Sequence, residues 1–216
     1  EKPDLTLVYG DVNSTLAASI ASKKIKIPVA HVEAGIRSLN TFNPEEINRR
    51  VADVLSDVLF PATQSAYDNL RAEGYPELAV HMVGDLMYDA LLLATADHEI
   101  MVTQRNYTLA TVHRAENADD PEKLRAIIHC FEKSPIPVRW VLHPRTEKNL
   151  KSFDLWGRIN DCPNISLSPP LGFVDFLREM AGADIVVTDS GGVRREAYML
   201  GKPSILLIDI VWFPEL

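Results

Sequence analysis

The stretch HVEAGIRSLNTFNPEEINRR, from His31 to Arg50, gathers three carboxylates (Glu33, Glu45 and Glu46), three arginines and a histidine at the end of an apolar run. Groups of these types, held close together, are the raw material of proton transfer. Further groups of the same kind recur along the chain. Asp11 ends VYGD, His113 and Arg114 sit in ATVHRAEN, and His143 precedes Pro144 in VLHPRT. In VVTDSGGVRREA, Ser190, Gly191 and Gly192 stand between an apolar run and a helical pattern. Glycines there let the backbone approach an anion closely, and amides at a helix start donate to phosphate. Ser190 adds a hydroxyl donor, and Glu196, about one and a half helical turns on, is placed to accept from a ribose diol.

Each group also has a plainer reading. Asp11 and Ser14 together suit a helix cap, Ser-Gly-Gly suits a tight turn, and a lone histidine is more often structural than catalytic. Metal binding competes as an explanation for so many acidic and histidine side chains. The chain lacks HExxH, paired cysteines and short-spaced His-x-His or Asp-x-Asp clusters, so no dedicated metal site is expected. It also lacks the Walker loop, the dinucleotide glycine fingerprint and the Gly-x-Ser-x-Gly elbow.

Short apolar runs alternate with helical patterns, which is the signature of a parallel α/β sheet. One series runs from LTLVYG through IPVAHVEA and VLFPAT to AVHMVGD, with helical segments between them. After MYDALLLATADHEIM and a polar break, a second series runs from YTLATVH through VRWVLHP, NISLSPP and DIVVTDSGG to PSILLID. The expected organisation is an amino-terminal Rossmann-like domain over residues 1–93, a linker over 94–106 and a carboxy-terminal, nucleotide-binding domain over 107–216. Ligands in such sheets bind at the carboxyl ends of the strands. Asp11, Glu33, His113, His143 and the 189–192 turn all fall there, which favours a shared site.

Composition narrows the classes. With 46% hydrophobic and 24% charged residues among 216, the chain has an ordinary globular make-up. Its net charge of -8 argues against a general nucleic-acid binder, which needs excess Lys and Arg. No apolar stretch reaches the length of a membrane helix, so no membrane partner is expected. Cys130 and Cys162 show neither metal spacing nor a disulfide framework, and a cytoplasmic location is expected. The chain opens on Glu1 with what reads as an interior strand close behind, and is expected to be the middle of something longer.

The pieces HVEAGIRS, NPEEINR, VGDLMYDAL, ATVHRAEN, HPRT and TDSGGVRREAYMLGKP, in this order and spacing, resemble the non-hydrolysing UDP-N-acetylglucosamine 2-epimerase family. The resemblance covers nearly the whole chain. It implies two Rossmann-like, doubly wound domains around a nucleotide-sugar cleft, the GT-B arrangement, here incomplete at both ends. It implies Asp11, Glu33, Glu45 and His113 as acid/base residues. It also places His143 and the amides of Ser190, Gly191 and Gly192 at the diphosphate, Phe176 at the uracil, Glu196 at the ribose and Arg114 near sugar and phosphates. No cofactor is implied, and a homodimer is. Glu46 is read as a cap or a partner of Arg49 or Arg50, outside the catalytic set.

The implied reaction inverts C2 of a UDP-2-acetamido sugar: UDP is eliminated as the C2 proton leaves, giving 2-acetamidoglucal, and then adds back while C2 is reprotonated on the opposite face. That chemistry uses carboxylates near C2 and donors around the leaving diphosphate. Crowded carboxylates raise one another's pKa values, which suits one of them to begin protonated. The alternatives are a hydrolysing epimerase releasing ManNAc and UDP, a GT-B glycosyltransferase and a non-catalytic UDP-sugar binder. One departure from the family pattern stands out. The polar run expected after LGKP reads IDIVWFPEL here, with Ile208, Val211 and Trp212 at polar positions and only Asp209 and Glu215 in agreement.

Overall fold

The computed structural model describes residues 3–38 and 43–208. The departing segment from Asp209 to Leu216 therefore lies outside the described residues. The chain divides into two compact units, one ending at Leu86 and the other beginning at Met87.

The first unit alternates β1 (Thr6–Tyr9), α1 (Asn13–Lys24), β2 (Val29–Val32), α2 (Pro44–Leu55), β3 (Val58–Phe60) and α3 (Gln64–Ala72). Its three strands are parallel in the order β1-β2-β3, with Thr6 opposite Val29 and Ala30 opposite Val58. The strand expected over AVHMVGD is reduced to a single parallel bridge from Val80 to Leu59. All four residues of the central strand β2 are buried, including His31. Helix α2 starts on local signals. Asn43 accepts from the Glu45 N–H, and Pro44 occupies the first turn, where its missing N–H costs nothing. Gly35 follows β2 with φ +80°, and a Cβ there would lie 2.2 Å from the Ala66 carbonyl oxygen, so only glycine lets α3 come this close.

The second unit opens with α4 (Leu86–Asp97) and continues through β4 (Thr108–Thr111), the short α5 (Ala115–Ala118), α6 (Pro121–Glu132), β5 (Val138–Val141), α7 (Pro144–Ser152), α8 (Trp156–Asn160), β6 (Ile165–Ser168), α9 (Phe173–Gly182), β7 (Ile185–Thr188), α10 (Gly191–Met199) and β8 (Ser204–Leu206). Its sheet is wholly parallel in the order β6-β5-β4-β7-β8, so the strand order reverses between β4 and β7. That is the doubly wound plan, whose ligands bind at the reversal point. Period-two alternation sorts side chains onto two cores. Ala110, Val138 and Trp140 pack with Leu124, Ile128 and Phe131 of α6, whereas Leu109, Val141 and Val186 pack with Leu177 and Met180 of α9 and Ala197 of α10. The segment 94–106, read as a linker, is tied to this unit. Thr103 and Arg105 donate backbone N–H groups to Ala181 and Gly182, and the buried Lys202 ammonium bonds the Thr103 and Ala183 carbonyls.

Among the described residues no helix is long and apolar enough to cross a membrane, and no group of three potential metal ligands occurs.

Candidate active site

In the first unit the carboxylates stand at the carboxyl ends of β1 and β2 and at the start of α2, each held by a different device. Asp11, partly exposed, is paired through Oδ2 with the buried guanidinium of Arg49. Arg49 in turn bonds Glu46 Oε2 at 2.8 Å. Glu46 is 1% exposed and also accepts from the Ser38 N–H at 2.8 Å and Arg50 Nε at 2.7 Å. Burial pushes its carboxyl up, but the Ser38 N–H and the two guanidiniums more than reverse this and hold it below the ordinary carboxylate range. Glu46 is thus the partner of both arginines, as expected. Asn48 completes the support by donating its side-chain amide to the Asp11 carbonyl at 2.8 Å.

Glu33 adopts φ +68°, a left-handed conformation that few residues with a side chain take. It costs on the order of 1–3 kcal/mol and persists where surrounding contacts enforce it, commonly at functional sites. Here the Glu33 N–H is held by the Phe60 carbonyl at 3.1 Å. The turn carries the carboxylate to the β1–α1 junction, where a Cβ on Gly10 would lie 3.4 Å from Glu33 Oε2. Glu45 is half-buried in the first turn of α2, on the helix that carries Glu46 and Arg49.

In the second unit the site forms where β4 and β7 end, at the reversal of strand order. Asp189, fully buried, accepts from the backbone N–H groups of His113 and Arg114 and from the Asn117 amide at 2.9–3.1 Å. These donors outweigh burial and hold its carboxyl below the ordinary range. His113 Nδ1 lies 3.2 Å from Asp189 Oδ1, which leaves Nε2 as the outward nitrogen. The His143 ring stands 5.4 Å from that of His113. His143 caps α7 by accepting the Arg145 N–H on Nδ1, with Pro144 in the first turn. Burial, reinforced by His113 and Arg145, lowers its pKa, so the neutral ring presents an Nε2–H outward.

A pocket of ≈ 200 Å³ is lined by Thr111, both histidines, Phe176 of α9 and Val193 of α10. Beside it α10 begins. Ser190 Oγ accepts the Val193 N–H and the Ser190 carbonyl accepts the Arg194 N–H, while the Gly191 and Gly192 amides open the helix with no carbonyl one turn before them to bond. Glu196, 8% exposed, has its carboxyl pushed up to about 6 by burial, against a smaller opposing effect from Arg195. Arg114 is half-buried at the amino end of α5. A second pocket, of ≈ 750 Å³, is apolar and lies against α6 and the β7–β8 edge, reaching Thr108, Val138 and Ile185 at the starts of their strands. It is the wrong end of the sheet for polar ligand chemistry.

The sequence therefore places its candidates in two sets, each gathered by one unit. Asp11 and Glu33 meet at the Gly10 turn, and Glu45 lies in the first turn of α2, the helix whose Asn48 and Arg49 hold Asp11. His113, His143, Phe176 and the Ser190–Gly192 turn border one pocket, with Glu196 further along α10.

The profile of one family, UDP-N-acetylglucosamine 2-epimerase, matches residues 1–210. The chain belongs to this family. A UDP-N-acetylglucosamine 2-epimerase homolog of Methanococcus maripaludis is 43% identical over 96% of the chain and 60% of its own length. The UDP-2,3-diacetamido-2,3-dideoxy-D-glucuronate 2-epimerase of Pseudomonas aeruginosa is 41% identical over 100% of the chain and 62% of its own length. The crystal structure of Methanocaldococcus jannaschii UDP-GlcNAc 2-epimerase, in complex with UDP-GlcNAc and UDP, superposes with a TM-score of 0.84 at 39% identity, covering 100% of this chain and 63% of that one. The chain thus spans about 60% of the length of the epimerases it matches. Arg49, Asn117 and Asn48, which hold these candidate groups in place, were not among the sequence candidates, and Asp189 entered only as part of the 189–192 turn. Asp189 was visible as the residue before Ser190, but its zero exposure and four donors were not.

Proposed function

We propose that the whole protein is an isomerase that inverts C2 of a UDP-2-acetamido sugar. The observation that carries this reading is kinship, over nearly the full chain, with proteins named as 2-epimerases of two different 2-acetamido sugars. The geometry fits it. Asp11, Glu33 and Glu45 are the acid/base carboxylates of the first unit, and His113, oriented by Asp189, is the acid/base group of the second. One base takes the C2 proton as the anomeric C–O bond breaks, its electrons leaving with UDP and the C–H pair forming the C1=C2 bond of 2-acetamidoglucal. UDP then re-adds at C1 while an acid protonates C2 from the other face. The Gly191 and Gly192 amides, Ser190, His143 Nε2–H and Arg114 receive the negative charge that accumulates on the diphosphate. Phe176 borders the uracil, and the Glu196 carboxylate accepts from the ribose. The free thiols of Cys130 and Cys162 support a reducing, cytoplasmic compartment, and the family resemblance supports a homodimer.

The test is to incubate the full-length protein in deuterated water with UDP-GlcNAc and, separately, with a UDP-2,3-diacetamido uronic acid, following the products by NMR. Deuterium at C2 of an epimerised UDP-sugar is expected with at least one of them. Absence of C2 exchange with every UDP-2-acetamido sugar offered would refute the reading, and free ManNAc in place of UDP-ManNAc would assign the hydrolysing reaction instead.

A further inference from the structure

His31 stands at the middle of the fully buried strand β2 with no exposure, yet both ring nitrogens face oxygen. Nε2 lies 2.8 Å from the Gly10 carbonyl, and Nδ1 lies 2.6 Å from Asp53 Oδ1. A carbonyl oxygen only accepts, so Nε2 carries hydrogen. Asp53, also without exposure, already receives the Gly35 N–H at 3.1 Å and Arg37 Nη1 at 2.8 Å on its other oxygen. Both of these donors lie on Oδ2, which leaves Oδ1 to accept from Nδ1.

The surrounding charges close into a circuit. Asp11 pairs with Arg49, Arg49 with Glu46, and Glu46 with Arg50. Arg50 lies 3.6 Å from Glu73, Glu73 holds Arg37 at 2.6 Å, Arg37 holds Asp53, and Asp53 holds His31. His31 then returns to Gly10, the residue before Asp11. Four carboxylates and three arginines make up the circuit, and His31 is the member that closes it onto Gly10. Buried polar groups are costly unless satisfied, and the two ends of this chain of bonds, at His31 and Arg49, both meet the Gly10–Asp11 turn.

We propose that His31 is a positioning residue: carrying hydrogen on both ring nitrogens, it bridges Asp53 to the Gly10 carbonyl and fixes the turn that presents Asp11 and receives the Glu33 carboxylate. The groups facing it are Gly10 from the β1–α1 turn and Asp53 from α2, with Arg37 behind Asp53. The inference rests on the proposed function only for its kinetic consequence. Misplacement of the turn is expected to lower kcat roughly 10- to 100-fold in His31→Asn and Asp53→Asn, with KM for the UDP-sugar changed by no more than about twofold.

The deciding experiment is a long-range 1H–15N correlation on full-length protein labelled at histidine, with His31 assigned by its loss in His31→Asn. Hydrogen is expected on both ring nitrogens of His31, Nε2–H toward the Gly10 carbonyl and Nδ1–H toward Asp53 Oδ1. A neutral ring with one bare nitrogen would overturn the proposal, as would wild-type kcat in Asp53→Asn. Should the wild-type protein turn over no UDP-sugar, the proposed function falls alone. The His31 signature and the Gly10–Asp11 amide shifts, expected to move in Asp53→Asn, still decide whether the dyad holds the turn. Unmoved amide shifts would count against it. Because the signature is read on wild-type protein, poor folding of the variants does not blunt the test.

Discussion

The two units bring ionisable groups to strand ends by opposite means. In the first, full charges are arranged around full charges: Asp11 on Arg49, Arg49 on Glu46, and Asp53 between His31 and Arg37. In the second, the candidate binding groups are mostly neutral donors, namely helix-start amides, a hydroxyl and the His143 Nε2–H, and the fully buried Asp189 is tied up by backbone N–H groups and the Asn117 amide. The difference fits the two tasks proposed for these groups. A carboxylate that must gain and lose a proton needs nearby cations to set its affinity, whereas a diphosphate is best met by donors already fixed by backbone geometry. A charged network is also costlier to break, because loss of one member strands the others in a poorly solvating interior.

Four measurements test whether the two units differ in this way. The largest effect is expected from Glu33→Gln, which removes a proton acceptor without changing shape. C2 deuterium exchange should fall about 10²–10⁴-fold while UDP affinity by calorimetry holds, since the second unit is untouched. Equal exchange in wild type and variant would remove Glu33 from the chemistry. Next is Glu46→Gln, which leaves Arg49 buried and short of charge, at a cost of about 3–5 kcal/mol in urea unfolding. The exposed Arg158–Glu132 pair of the second unit is the contrast: Glu132→Gln should cost below about 1 kcal/mol. Comparable costs would contradict the distinction drawn between the units.

Glu196 gives a pH-dependent version. Its folded value of about 6 lies above the ordinary 4.5, so its contribution to stability is present below pH 4.5 and lost as pH rises through 6. Glu196→Gln should therefore stabilise the protein at neutral pH by about 2 kcal/mol and lose that advantage in acid, while UDP affinity drops. A variant no more stable than wild type at neutral pH would count against the burial argument. The smallest effect is expected from Ser190→Ala, which removes the α10 cap at a cost of about 1 kcal/mol in thermal or urea unfolding.

Much of this was legible in the sequence. Asn43-Pro44 and Asp120-Pro121 each open a helix of the alternation expected from the sequence, because capping and a missing N–H are local matters. The strand alternation of the second series likewise followed from period alone. The last strand of the first series did not: AVHMVGD has the composition of a strand, but only Val80 finds a ladder partner among the described residues. Strand formation needs a neighbour, and no local pattern supplies one.

From the sequence came the candidates for chemistry and their positions at strand ends, since alternation of apolar runs and helical patterns fixes those positions. Tertiary structure alone decided which of them are scaffolding. Asp11 and Arg49 are thirty-eight residues apart, His113 and Asp189 seventy-six, and nothing in either spacing distinguishes a pair from two strangers. Burial made the same choice for His31, Asp53 and Asp189. Whether a charged side chain is solvated or must be answered by a partner depends on every element packed around it, and that sum exists only in the folded chain.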